Sequence, residues 1–176
     1  MINNFASFQE FMDKVFSLSY FEVMTDIHGG LAMLAMILFG AVIVLLLALD
    51  KFTQATAWLK SSLIVLTADI LLLNSFGLYV YRPYRAPVPD SPRSLLKASE
   101  ENSWLHTIVF EHKEFLAFVP MVLMIVATVI VLKEGDRLKK NPRMKKVLMF
   151  TIVLSLIYIL VVATEAVLVT KVAPLK

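Results

Sequence analysis

The chain has 176 residues, 59% of them apolar and only 18% charged, with a mean hydropathy of +0.76 and a formal net charge of +3. That balance lies outside the range of a water-soluble domain and places the chain in a lipid bilayer. It has no cysteine, which excludes iron–sulfur clusters on this chain, covalently attached haem, thiol redox chemistry and zinc ribbons.

In chain order, Met1 to Met24 comes first. It lacks a positively charged start and carries Glu10, Asp13 and Glu22, so it does not read as a signal peptide. Phe5, Phe8, Phe11, Met12, Val15 and Phe16 recur at helical spacing, which predicts an amphipathic helix lying in the membrane interface. Residues 25–176 then form one transmembrane domain. Four charge-poor runs predict spans at about 27–49, 61–81, 107–132 and 147–170. Each is long enough to cross roughly 30 Å of hydrocarbon at about 1.5 Å per residue. Short connections predict an all-α, up-down-up-down four-helix bundle.

Between the second and third spans lies an outer loop, 82–105. Pro83, Pro87 and Pro89 should stiffen its first half. Ser91 followed by Pro92 reads as a helix cap with proline at the first helical position, opening a short helix through Leu95 and Leu96. The loop 133–146 is basic: Lys133, Arg137, Lys139, Lys140, Arg143, Lys145 and Lys146 join Lys51 and Lys60 on one face, against Asp50, Glu134 and Asp136. The positive-inside rule makes that face cytoplasmic in a plasma membrane, with both termini outside. Topology alone accounts for the basic loop; binding of anionic lipid headgroups is the alternative.

A shift of 84 residues superposes His28 on His112, Asp50 on Glu134 and Thr67 on Thr151, suggesting a tandem two-helix repeat. Such a repeat has a two-fold axis along the membrane normal and makes spans one and three diagonal neighbours.

Depth along each span singles out one level. His28 is about 33 Å from Asp50, His112 about 32 Å from Lys133, Glu165 about 29 Å from Lys146, and Tyr79 and Tyr81 about 29 to 32 Å from Lys60, at 1.5 Å per helical residue. Three readings fit this cluster. His28 and His112 can be the axial ligands of one haem b, with Gly29 and Gly30 admitting the ring, Tyr81 beside it, and Arg82, Arg85 and Lys113 pairing with propionates. His28, His112 and Glu165 can instead hold a non-haem metal. Or the residues simply favour the headgroup region. His106 lies about 240° around a helix from His112 and is expected at the surface or in the loop; it could replace His112 as ligand if span three begins late. Glu111 or Glu114 can hydrogen-bond a ligand histidine.

Asp69 is the deepest acid, about 14 Å in from Lys60, with Ser155 on span four at matching depth. Burying an ionised carboxylate is costly, so the residue is expected to be neutral, hydrogen-bonded, or both. A polar contact between helices accounts for it; a proton relay or a contact with another subunit is the functional alternative. Pro120 should bend span three.

The stretches "DIHGGLAMLAMILFG" and "WLHTIVFEHKEFLAF" resemble those of four-span membrane b-type cytochromes and predicted haem-binding membrane proteins, over roughly Asp26 to Thr170. The resemblance implies one haem near the outer face and electron transfer between a membrane quinol pool and an external carrier or partner subunit. The alternative is a non-catalytic accessory subunit of a membrane complex; the second alternative is a non-haem metal protein. An electron-transfer or accessory subunit is expected rather than an enzyme acting alone. No Walker loop, Rossmann fingerprint or hydrolytic triad is visible, and nothing marks a nucleic-acid partner.

Overall fold

The computed structural model describes residues 20–173. All but the last five residues of the amphipathic segment expected at 1–24 lie outside that range. Four helices are long and apolar enough to cross a membrane. The first is α1, Tyr20–Leu47, and the second α2, Ala55–Tyr84. After the short α3, Pro92–Ala98, the third span is segmented: a π-helical turn at Leu105–Phe110, then α4, Glu111–Leu116, and α5, Phe118–Glu134. A one-turn α6, Arg137–Lys140, leads into α7, Pro142–Val172, the fourth.

Each span is longer than the hydrophobic run that marks it. Charged and capping residues extend the ends. Asn141 caps α7 by accepting from the Met144 amide (3.0 Å), with Pro142 in its first turn. Gly135 ends α5 at φ 52°, a conformation that disfavours a side chain. At the other end the sequence reading needs correction. The helix does not stop at Tyr81; it carries on through Pro83 to Tyr84. Pro83 cannot donate to the Tyr79 carbonyl, and the helix ends one residue beyond it. The Ser91 cap forms as expected, its Oγ accepting from the Ser94 amide (3.2 Å) at the start of α3.

Helix α1 packs on α2, α2 on α5, α5 on α7, and α7 back on α1. The first and third spans are therefore diagonal. Two cores fill this ring. The larger joins Phe39, Leu46, Leu63, Leu66, Met124, Val131 and Ile152 near the short loops. The smaller joins Tyr84, Leu96, Leu105, Phe110 and Val169 beneath α3. Polar contacts also tie the four long helices together. Thr67 and Thr128 share a hydrogen bond (2.7 Å), and the two hydroxyls also lie within reach of the Met124 and Leu63 carbonyls. Near the short loops, Lys145 pairs with Asp50 (2.6 Å) and Lys139 donates to the Phe52 and Thr53 carbonyls. Large apolar side chains such as Met33, Ile37, Val44, Leu47 and Phe150 ring the outside. A soluble protein would not expose so much; they suit contact with lipid.

Candidate functional site

Between the two cores lies a cavity of about 390 Å³. Its lining starts at Ile70, in the larger core, and ends at Tyr81, packed against the smaller. Small residues make the room: Ala32 from α1, Gly77 from α2, Ala117 from the third span, Ala163 and Ala166 from α7. Pro120 adds to it. Having no N–H, it leaves the Leu116 carbonyl without its helical partner, and its ring crowds that carbonyl. The regular hydrogen bonding is interrupted at Ala117, although its dihedrals stay helical (φ −59°, ψ −25°). The Pro120 carbonyl accepts from the buried Ser155 hydroxyl (3.3 Å), anchoring this stretch to the fourth span.

Into this mostly apolar space come His28, Asn74, Tyr81, Lys113 and Glu114. The His28 ring is fixed on two sides. Nδ1 lies 3.1 Å from the Leu73 carbonyl; a carbonyl can only accept, so Nδ1 carries the hydrogen. In the neutral ring Nε2 then holds a lone pair, available at the cavity. Against the ring edge sits Gly77, where a Cβ would come within 3.0 Å of His28 Cε1. Asn74 donates to the Ile70 carbonyl (3.2 Å), leaving its amide oxygen as an acceptor.

At the end of the cavity nearer α3, charges are shared unevenly. Arg85 pairs with Glu114, lies 3.9 Å from Glu111, and donates to the Tyr81 hydroxyl (3.2 Å). Glu165 takes His112 Nδ1 at 2.5 Å. Lys113 lies over three rings, 5.6 Å from the centroid of Tyr81, 5.7 Å from Phe110 and 6.0 Å from Tyr84.

The depth-matched residues therefore divide. His28 and Tyr81 line the cavity; His112 does not, and its side chain is 53% exposed. A bis-histidine haem needs both imidazoles on one cavity, and this one has His28 alone, so the residues present do not fit that pair. Arg85 is committed to Glu114, and Arg82 is exposed. Gly29 and Gly30 are exposed, and neither lines the cavity. Among the described residues no three histidine, aspartate or glutamate side chains converge as metal ligands. His112 and Glu165 meet, but without His28.

His106 is a second correction. Expected at the surface, it is 3% exposed, with its ring 5.4 Å from Phe110 and Nε2 3.9 Å from Glu111. The π-helical turn on which it sits carries it under α3, into contact with the smaller core. Asp69 is equally buried, and neither carboxylate oxygen has a hydrogen-bond partner. It does not line the cavity, and Ser155 is committed to Pro120. Sequence reasoning missed Gly77, whose only signal was a glycine in an apolar run, and noticed Asn74 as a polar residue along span two without placing it at the site.

Compared with family models, curated proteins and solved structures, the chain matches none.

Proposed function

We propose that this chain is a membrane-embedded redox subunit whose cavity takes a quinone-class ligand. The observation that carries the reading is the cavity itself. It is lined by residues of all four long helices, apolar along most of its wall, and polar at a few placed atoms, the usual make-up of a small-molecule site. A quinone offers a flat apolar body with oxygens at its rim. Its carbonyls suit the Lys113 ammonium; the hydroxyls of the quinol suit the acceptors His28 Nε2 and the Asn74 amide oxygen. Electrons would pass to a partner subunit or external carrier.

In this reading successive spans run in opposite directions. Tyr20 meets Tyr79 while His28 meets Leu73; Asp50 meets Lys145; His112 meets Glu165 while Pro120 meets Ser155. With the basic loop in the cytoplasm, the cavity opens in the outer half of the bilayer and both termini lie outside.

A second reading keeps one haem b, with His28 as the ligand this chain supplies at the cavity. The Nδ1 bond to Leu73 favours it, because metal-ligating histidines usually donate their other N–H to a carbonyl or carboxylate.

The test is titration of the purified protein, in lipid nanodiscs, with a short-tailed quinone. Saturable binding that falls at least tenfold in His28→Ala is expected. Absence of saturable binding overturns the first reading. A split α/β absorption band in the reduced protein, lost in His28→Ala, establishes the second.

A further inference from the structure

Among the described residues Lys113 is the one lysine or arginine that lines the cavity, and the nearest carboxylates have other partners. Glu111 and Glu114 face Arg85, and Glu165 holds His112 through Oε1 while its Oε2 has no hydrogen-bond partner. Among the described residues no carboxylate forms an ion pair with Lys113 within 4.0 Å. In place of a counter-ion the ammonium has the faces of Tyr81, Tyr84 and Phe110. Aromatic faces stabilise a cation without neutralising it. They also hold it in place, since Tyr81 is itself fixed by Arg85 and stacked 5.2 Å from Phe110. A positive charge within a membrane span is expensive, and where one is retained without an ion pair a ligand is the natural recipient of it.

From this geometry we infer that Lys113 seats a negatively charged oxygen, so that the cavity prefers the anionic form of its quinone-class ligand. The inference rests on the quinone reading above and adds the charge state to it. Arg85 cannot do the same work, because Glu114 already occupies it. His28 Nε2, an acceptor, suits a hydroxyl of the ligand instead. The site thus has one cationic and one neutral anchor, from different spans, which orients a ligand as well as holding it.

The experiment compares two naphthoquinones of similar size on wild-type protein in nanodiscs at neutral pH. One is 2-hydroxy-1,4-naphthoquinone, ionised at that pH; the other is the neutral 2-methyl-1,4-naphthoquinone. A charge-assisted contact predicts at least about tenfold tighter binding of the anion. Equal or weaker binding of the anion overturns the inference while leaving the quinone reading intact. Binding of neither removes both. In Lys113→Met the preference should vanish while neutral-quinone binding persists; a preference that survives would take the role away from Lys113. If K113M does not fold, Lys113→Gln measures the same difference.

Discussion

His28 donates its Nδ1 hydrogen to the Leu73 carbonyl across 3.1 Å, and this bond decides what the imidazole can do. It fixes the tautomer, turns the ring into α2, and leaves Nε2 as the working atom. Gly77, one turn further along α2, makes the approach possible.

That relationship separates two effects of Gly77→Ala. Alanine favours a helix over glycine by about 1 kcal/mol, so the midpoint of thermal unfolding should hold or rise. The new Cβ would stand 3.0 Å from His28 Cε1 and push the ring off Leu73. Ligand affinity should therefore fall several-fold. Calorimetric unfolding and a binding titration on the same preparation check both signs. Unchanged affinity would show that the ring position does not matter.

His28 and His112 can be told apart by the same titration. His28→Ala should weaken ligand binding at least tenfold and remove any pigment. His112→Ala should leave it within about twofold, since the ring lies outside the cavity on Glu165. Equal losses in both variants would restore the bis-histidine pair.

How far this was readable from sequence follows from what a helix makes regular. Depth is regular, at about 1.5 Å per residue. His28, Tyr81, His112 and Glu165 do lie at one end of the bundle, and counting found them. Direction around the axis is regular only in an unbroken helix. The π-helical turn at Leu105–Phe110 ends just before His112 and shifts the register there, so its facing could not be counted. The same turn buries His106. The Ser91 cap depends on nearest neighbours alone and was fully legible. The Leu73 carbonyl carries no sequence signal, because any residue there supplies one.

Arg85→Ala should destabilise through what it abandons. Glu114, mostly buried, would lose its ion partner, and Tyr81 its donor. Since Arg85 is itself partly exposed, about 1 to 2 kcal/mol is expected rather than the larger cost of a fully buried pair. Arg85→Ala with Glu114→Gln should recover part of that loss in a double-mutant cycle. Strict additivity of the two single losses would mean that the pair is not coupled.

Asp69→Leu should stabilise the protein. Its carboxylate is buried with both oxygens unpartnered, and an unsatisfied buried polar group costs roughly 1 to 3 kcal/mol. Leucine is of comparable size and has no polar atom to satisfy. A higher unfolding midpoint with unchanged ligand binding is expected. A stabilised variant that no longer binds would instead make Asp69 part of the site.

Topology can be read with little ambiguity, because the chain has no cysteine and any introduced one is the sole label. Ser94→Cys sits on α3, and Lys140→Cys on the basic loop between the third and fourth spans. If the nine basic residues at the short-loop end of the bundle face the cytoplasm, a membrane-impermeant maleimide added to intact cells should label Ser94→Cys only. Lys140→Cys should react only after the membrane is opened. The reverse pattern would put the cavity in the cytoplasmic half, where its ligand would exchange protons with the other compartment. Labelling of both variants in intact cells would mean that successive spans do not alternate, and the up-down order argued from the Tyr20–Tyr79 and His28–Leu73 contacts would fall with it.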